Sequence, residues 1–212
     1  MKTILCYGDS NTYGYIPISG LRYDKNTRWS GILSKKLGDE YEVIEEGCNG
    51  RTTVYDEPKA AWKNGKRYIK VALNSHKPID LVILMLGSND TKNFYHSSAR
   101  ATAHGVEELI TIIKKFTKLK QGYEADVLLI CPPALGQGIE DSPFKENMNL
   151  KSRKKSLKFP PLYKAVAKRQ GCLYLNSQNF IKSSKEDSLH FSPEAHAILA
   201  ERVYNIVINH FA

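Results

Sequence analysis

The sequence predicts an α/β fold built on a five-stranded parallel β-sheet that helices cover on both faces. Short apolar runs alternate along the chain with longer segments of helical periodicity. One run, DLVILML at 80–86, is apolar enough for a strand that is buried on both faces, as strands of parallel sheets are. Neither a repeat nor a linker interrupts the alternation, so the 212 residues are expected to form one domain, 1–212.

Each strand is predicted from a short apolar run, and each helix from apolar residues that recur every three or four positions. The strands are expected at 3–7, 41–45, 80–86, 127–131 and 173–175. The helices are expected at 28–37, 66–75, 99–119, 158–170 and 193–211. Stop signals support two of these boundaries, because Gly38 follows the first helix and Pro132 follows the fourth strand.

Composition and charge are those of an ordinary globular protein with a basic surface. Apolar residues make up 42% of the chain and charged residues 25%. The net charge of +9 is compatible with nucleic-acid binding. However, the basic residues are scattered, and the one dense run, KSRKK at 151–155, lacks the interleaved aromatic residues of a single-strand groove. We therefore expect no nucleic-acid partner.

The cysteines and the apolar runs indicate neither a metal site nor a membrane segment. Cys6, Cys48, Cys131 and Cys172 do not have metal-ligand spacing, so no metal is predicted. No apolar run approaches the roughly 20 residues that a membrane span requires. The first residues lead into a strand rather than a secretory signal. The expected location is cytoplasmic, with no membrane partner.

The first strand runs directly into Gly8, Asp9 and Ser10, and this turn is the strongest local signal in the chain. A serine after the first strand lies where open α/β sheets bind their ligands. If a helix opens from Thr12 onward, Ser10 lies near its N-terminus, where backbone N–H groups favour negative charge. Two interpretations stay open from this stretch alone: a nucleophile, or a serine that only caps the helix.

His190 is the histidine whose sequence context points to catalysis. Asp187 precedes it by three residues, a spacing at which a carboxylate in a turn can bind one imidazole nitrogen and leave the other free. Together with Ser10 they supply a nucleophile, a base and an orienting acid, which is the set of groups a serine hydrolase uses. Ser192 and Pro193 have the features of a helix start, which is compatible with this interpretation.

Candidate oxyanion donors occur where the second and third strands end. Gly50 can present a backbone N–H without a side chain in the way, and Asn89 can offer its side-chain amide. Ordinary turns also contain Gly and Asn. Position favours the functional interpretation, because these turns all follow successive strands and meet at one edge of the sheet.

The stretch 134–157 is expected to be an irregular insertion, rich in Gly, Ser, Asn and Lys. It follows the fourth strand and so emerges at the same sheet edge as Ser10. Loops of this length are usually functional or disordered, so a lid or an oligomer contact is expected, with a solvated excursion as the alternative.

Four motifs in this order resemble those of the SGNH (GDSL-type) hydrolases. They are Gly-Asp-Ser-Asn at 8–11, Asn-Gly-Arg-Thr-Thr at 49–53, Gly-Ser-Asn-Asp at 87–90 and Asp-Ser-Leu-His at 187–190. The resemblance implies a flavodoxin-like α/β/α sandwich that needs no cofactor. It implies Ser10 as nucleophile, His190 as base and Asp187 as its orienting acid. It also implies an oxyanion hole made by the Ser10 N–H, the Gly50 N–H and the Asn89 side chain.

Within this family, four stretches are similar to bacterial arylesterases that also transfer acyl groups to alcohols or peroxide. These stretches are 4–10, 43–47, 51–53 and 85–92. The similarity implies a small-molecule ester as substrate, short acyl chains, and a homo-oligomer formed partly through the insertion. Lysophospholipase, thioesterase and carbohydrate deacetylase activities are alternatives within the family.

Four further residues are candidates for substrate binding. Asn11 stands where the family's first motif has leucine, which affects the pocket lining rather than the mechanism. Tyr13 and Tyr15 stand where the arylesterase branch often has tryptophan, which implies a more polar or roomier acyl pocket. Arg51 either meets an acidic substrate group or pairs with a nearby acid, and the structural role is favoured.

Two functions of other classes remain as alternatives. A flavodoxin-like sheet with a serine- and threonine-rich first turn could bind a phosphate-bearing cofactor such as a flavin, but Asp187 and His190 then have no task. A nucleic-acid module would explain the net charge, and it would bind with a steep salt dependence.

Overall fold

A five-stranded, all-parallel β-sheet forms the centre of the structure, a computed structural model that describes all 212 residues. The strands are β1 (Lys2–Gly8), β2 (Tyr41–Gly47), β3 (Leu81–Met85), β4 (Asp126–Cys131) and β5 (Leu173–Asn176). They lie in the order β2-β1-β3-β4-β5, and every neighbouring pair is parallel. This strand order is that of flavodoxin-like sheets, so the predicted fold class is confirmed.

Helices cover both faces of the sheet and complete a three-layer sandwich. They are α1 (Ser10–Tyr13), α2 (Trp29–Leu37), α3 (Gly65–His76), α4 (Ala99–Gln121), α5 (Leu150–Ser156), α6 (Phe159–Gln170) and α7 (Pro193–Phe211). Helices α2 and α7 pack together on one face, and α3, α4 and α6 pack in a row on the other. The five long predicted helices are therefore all present.

Alternating side chains of each strand fill two separate cores. In β1, Leu5 and Tyr7 face the helices α3, α4 and α6, whereas Ile4 and Cys6 face α2 and α7. All four side chains are completely buried, as the apolar runs predicted. Full burial of one such aliphatic side chain stabilises the fold by about 1.5–3 kcal/mol.

Two local features differ from the sequence prediction. Helix α1 begins at Ser10 rather than at Thr12, and Asp9 is its N-cap, not Ser10. The stretch 134–157 is not wholly irregular, since it contains α5. That helix has no apolar stripe to reveal it, but Asn149 and Ser152 form a capping box that was its only sequence signal.

The carboxyl ends of the parallel strands all lie at one edge of the sheet. The turns that contain Ser10, Gly50 and Asn89 leave β1, β2 and β3 there, and the segment 134–157 leaves β4. No helix has the length together with the apolar character that crossing a bilayer requires. All four cysteines carry free thiols.

Candidate active site

Ser10 occupies the first position of α1, immediately beyond β1. Gly8 permits this sharp turn, because a side chain there would overlap Thr12. The carboxylate of Asp9 accepts a hydrogen bond from the Asn11 N–H at 3.0 Å and so caps the helix. The Ser10 hydroxyl therefore does not act as a cap, and it lies 2.9 Å from Nε2 of His190.

His190 links Ser10 to Asp187 through its two ring nitrogens. Its Nδ1 lies 2.6 Å from Oδ2 of Asp187, while Nε2 faces the serine. The other carboxylate oxygen accepts hydrogen bonds from the backbone N–H groups of Leu189 and His190, at 3.0 and 2.9 Å. Ser188 makes the turn with a left-handed φ of 60°. The structure thus brings the three predicted catalytic residues into one hydrogen-bonded chain.

Burial and hydrogen bonding fix the charge of Asp187. Its removal from water acts to raise the pKa, but the hydrogen bonds from His190 and Leu189 outweigh this effect and lower the pKa from its ordinary value. Asp187 therefore remains ionised at neutral pH and can stabilise a positive charge on His190. Because Ser10 is 6% exposed and His190 2%, this hydrogen bonding is largely shielded from solvent.

Two aromatic side chains hold the imidazole from outside the hydrogen-bonded chain. The ring of Tyr15 stacks on His190 with 4.1 Å between centroids and 26° between planes. Phe144, from the insertion at 134–157, meets the same ring edge-on with 5.4 Å between centroids. These two contacts restrict the orientation of the imidazole ring.

Asn11 connects the serine turn to the histidine turn. Its Oδ1 accepts a hydrogen bond from the Phe191 N–H at 3.1 Å, and its Nδ2 donates to the Leu189 carbonyl at 3.4 Å. The side chain is 2% exposed and does not line the cavity beside Ser10. The geometry therefore places Asn11 between the two catalytic turns, away from the position that the sequence suggested for it.

Gly50 and Asn89, the two candidate oxyanion donors, line the same cavity as Ser10 and His190. Gly50 has a left-handed φ of 78°, which favours glycine at this position. Nδ2 of Asn89 donates a hydrogen bond to the Arg51 carbonyl at 3.2 Å, and this contact orients the amide. The turns after β1, β2 and β3 thus converge on one point.

Arg51 and Tyr13 do not reach this cavity. The buried guanidinium of Arg51 donates to the Gly8 carbonyl at 3.0 Å and to the Glu46 carbonyl, and it lies 4.1 Å from the Tyr7 ring centroid. Arg51 thereby ties the turns after β1 and β2 together, in agreement with the structural role favoured from the sequence. The guanidinium of Arg22 lies over the ring of Tyr13, 4.6 Å from the centroid of that ring.

The cavity has a volume of about 290 Å³ and two walls of different character. Beside His190, the wall is apolar and aromatic. Beside the oxyanion candidates, the wall is charged and polar. The residues that line the cavity are Ser10, Tyr15, Asn49, Gly50, Glu57, Lys63, Asn89, Lys92, Phe144, Asn147, Met148, Leu189 and His190.

The sequence did not indicate most of these wall residues. Phe144, Asn147 and Met148 come from the insertion, which was expected to approach the site but without named contacts. Glu57 and Lys63 lie between β2 and α3, in a stretch that has no motif. Three further wall residues had a signal: Asn49 and Leu189 stand within the motifs at 49–53 and 187–190, and Lys92 follows Asn89 by three residues.

Two carboxylates other than that of Asp187 lie beneath the site. Asp9 and Asp90 are both buried, and Asp90 accepts hydrogen bonds from the Thr53 N–H and hydroxyl. Burial raises the pKa of Asp9 to about 7 and that of Asp90 to about 6, and the charge of Asp90 adds to the rise at Asp9. No group of three or more His, Cys, Asp or Glu side chains is arranged to hold a metal ion.

The raised pKa of Asp9 predicts a stability that declines as the pH rises. An unfolded aspartate titrates near 4. The folded chain therefore holds this proton more tightly, and the resulting stability is present below about pH 4 and lost as the pH rises through about 7. Asp9→Asn should reduce the fall in the free energy of unfolding across this pH range by an amount on the order of 2–4 kcal/mol. Urea unfolding across pH 4–8 measures it. Asp39→Asn, at an exposed turn, should keep the wild-type slope, and an unchanged slope in Asp9→Asn would contradict the assignment.

Comparison with known proteins shows which family the chain matches. Residues 6–198 match the model of the GDSL-like Lipase/Acylhydrolase family. A carbohydrate acetylesterase from Sinorhizobium meliloti is 35% identical, with 99% of each chain covered and a TM-score of 0.93. The aryl esterase of M. Smegmatis is 31% identical, with 99% of each chain covered and a TM-score of 0.92. A lipase/acylhydrolase from Enterococcus faecalis, 18% identical with a TM-score of 0.70 over 99% and 97% of the chains, shares the fold. Among curated proteins, none matches this chain.

Proposed function

The chain belongs to the GDSL-like lipase/acylhydrolase family and is an ester-hydrolysing enzyme; on that premise, we propose that it cleaves short-chain carboxylic esters by a Ser10–His190–Asp187 triad. The observation that carries this proposal is the unbroken chain of hydrogen bonds, 2.9 Å from Ser10 to His190 and 2.6 Å from His190 to Asp187. A serine is a weak nucleophile on its own and needs a base in this position.

Acylation follows from this geometry. The Ser10 hydroxyl attacks the ester carbonyl while Nε2 of His190 takes its proton, and the ionised Asp187 stabilises the imidazolium that forms. His190 then gives the proton to the departing alkoxide, and an acyl-enzyme on Ser10 remains. Tyr15, stacked on the imidazole, keeps the ring in place during these proton transfers.

Three donors would hold the oxyanion of the tetrahedral intermediate: the Ser10 N–H, the Gly50 N–H and the Asn89 amide. All three belong to turns at the carboxyl edge of the sheet, and Ser10 opens a helix whose N-terminal dipole favours negative charge. Water then releases the acyl group with His190 as base. An alcohol or a peroxide in the place of water would give acyl transfer instead.

The size of the cavity favours small esters. A volume of about 290 Å³ suits an acetyl or other short acyl chain with a compact alcohol. The apolar wall of Tyr15, Phe144, Met148 and Leu189 would accept an aryl group, in line with the aryl esterase among the relatives. The acetylesterase among them acts on carbohydrate, and an acetylated sugar is the second candidate because polar groups line the opposite wall.

Covalent trapping tests the proposed nucleophile. We expect a fluorophosphonate to label each chain once, on the peptide that contains Ser10, because the reagent requires a serine activated by a base. Peptide mass spectrometry locates the adduct. Prior acylation with excess p-nitrophenyl acetate should delay the labelling. An adduct on any other residue, or none, would contradict the assignment of Ser10.

Asn89→Ala tests the oxyanion hole. An oxyanion donor acts mainly in the transition state, so kcat for p-nitrophenyl acetate should fall about 100- to 1,000-fold with little change in KM. Asn93→Ala, in the next turn but outside the cavity lining, is the comparison variant. A rise in KM with unchanged kcat would remove Asn89 from the hole.

A further inference from the structure

The cavity contains a group of three charged side chains that the proposed mechanism does not use. Glu57, Lys63 and Lys92 form what we call the charged triplet. Lys92 donates to Oε2 of Glu57 at 2.6 Å, and Lys63 donates to the other oxygen of the same carboxylate. Their side chains are only 17%, 23% and 12% exposed, respectively. Charges withdrawn from water to this extent in a cavity wall are costly unless they are paired.

Glu57 holds the two ammonium groups together. Burial acts to raise the pKa of Glu57, but the hydrogen bonds from Lys63 and Lys92 outweigh it and lower the pKa, so the carboxylate stays ionised. Tyr95 adds a hydroxyl at 3.4 Å from Oε2. Without this carboxylate the two lysines would repel each other, and with it they are fixed before any ligand arrives.

The charge of the triplet is incomplete. Two ammonium groups face one carboxylate, which leaves a net charge of +1 on this wall. Each lysine has three N–H donors and makes a hydrogen bond only to Glu57. The two carboxylates nearest to the triplet along the chain do not line the cavity, since Asp56 pairs with Arg67 and Asp90 accepts hydrogen bonds from Thr53. The overall charge of +9 also attracts anions to the protein.

The triplet adjoins the reacting centre. The stem of Lys63 lies against Gly50, since its Cε would be 3.0 Å from a Cβ built on that glycine. Lys92 follows the other oxyanion candidate, Asn89, by three residues. Asn49 and Asn147 complete the polar lining. A group bound to the lysines would therefore belong to the same ester molecule whose carbonyl lies at Ser10.

We propose that the charged triplet is a subsite for a carboxylate carried by the ester substrate. This inference rests on the proposed function and adds the substrate class to it. One carboxylate between Lys63 and Lys92 completes the charge balance and takes up the remaining N–H donors. A neutral polyhydroxylated group could use the same donors but would leave the extra positive charge of this mostly buried wall uncompensated.

Two pairs of matched esters test the subsite and identify which half of the ester carries the carboxylate. On the acyl side, the p-nitrophenyl monoester of adipic acid is compared with the p-nitrophenyl ester of adipamic acid, in which a neutral amide replaces the free carboxylate. On the alcohol side, meta-carboxyphenyl acetate is compared with meta-carbamoylphenyl acetate. We expect one pair to show a kcat/KM ratio in favour of the carboxylate of roughly 10- to 100-fold, as charge-assisted hydrogen bonds give.

Lysine variants test whether the charged triplet causes this ratio of kcat/KM values. Lys92→Met should bring it close to one, and Lys63→Met serves as the second variant if Lys92→Met does not fold. Lys70→Met removes an equal charge from an exposed position of α3 and should keep the wild-type ratio. The inference is overturned by a ratio near one for both pairs in the wild type, or by an equal loss of the ratio in Lys70→Met. It is also overturned by a preference for a monoacetylated methyl glucoside over ethyl acetate without any carboxylate preference.

A binding measurement separates this inference from the proposed function. Calorimetry with Ser10→Ala protein and the same four esters measures the subsite without turnover, and tighter binding of one carboxylate ester supports it. If the wild type hydrolyses no ester while Ser10→Ala binds the carboxylate form more tightly, the proposed function fails and the subsite stands. If the wild type hydrolyses all four esters with equal efficiency, the proposed function stands and the subsite fails.

Discussion

Ser10→Ala should lower kcat for p-nitrophenyl acetate by about 10⁴- to 10⁶-fold, the range seen when a triad nucleophile is removed. The substitution deletes the atom that attacks the carbonyl and that contacts Nε2 of His190 at 2.9 Å. The oxyanion donors would remain and would account for the residual rate. Stopped-flow or steady-state release of p-nitrophenol measures the effect.

The fold should survive this change. The Ser10 hydroxyl makes no hydrogen bond other than that to His190, and Asp9 rather than Ser10 caps α1. Circular dichroism and the urea midpoint of the variant should therefore match those of the wild type. Ser75→Ala, at an exposed site in α3, is the matched control and should keep full activity. Near wild-type turnover by folded Ser10→Ala would exclude Ser10 as nucleophile.

Asp187→Asn should lower kcat about 10⁴-fold, as loss of the orienting carboxylate does in a triad. Oδ1 already accepts two backbone N–H groups, so the asparagine oxygen is expected to keep that position. Its amide nitrogen would then face Nδ1 of His190 and favour the tautomer with the proton on Nε2. That tautomer cannot take the proton of Ser10.

Kinetics at neutral pH check this prediction. The loss should appear in kcat and in kcat/KM alike, because the change acts on the transition state and not on substrate binding. Glu186→Gln removes a negative charge one residue away, at an exposed site without a bond to His190, and should retain activity. If Glu186→Gln and Asp187→Asn lost activity equally, the overall negative charge of the loop would be responsible rather than the hydrogen bond from His190 to Asp187.

The sequence predicted what depends on short stretches of the chain. The apolar runs indicated all five strands, because β1, β3 and β4 are buried along almost their whole length and the half-buried edge strands β2 and β5 still carry apolar residues. The positions of Ser10, Asp187 and His190 could be predicted because each lies in a turn that follows an element of regular structure. Their contact, across 180 residues between Ser10 and His190, requires the segment between β5 and α7 to return to the carboxyl end of β1.

The sequence could not predict contacts that depend on where a long insertion packs. Phe144 reaches His190 only because the stretch 134–157 folds back over the carboxyl edge of the sheet. The triplet formed by Glu57, Lys63 and Lys92 joins two segments that share no motif. The motif position of Asn11 predicts a pocket residue, whereas its amide connects two turns near the two ends of the chain.

The small apolar cluster under the insertion has a consequence for enzyme engineering. Leu189, which lies between Asp187 and His190, packs with Leu135, Ile139 and Met148. Exchanging the insertion at 134–157 for that of a relative would thus change the packing of the segment that carries His190, as well as the substrate cavity. Many such chimaeras would be inactive because the base is displaced, not because the specificity has changed. A mutant library that varies Asn147, which lines the cavity, and keeps these four anchors and Phe144 would explore new substrates without disturbing the proton-transfer machinery.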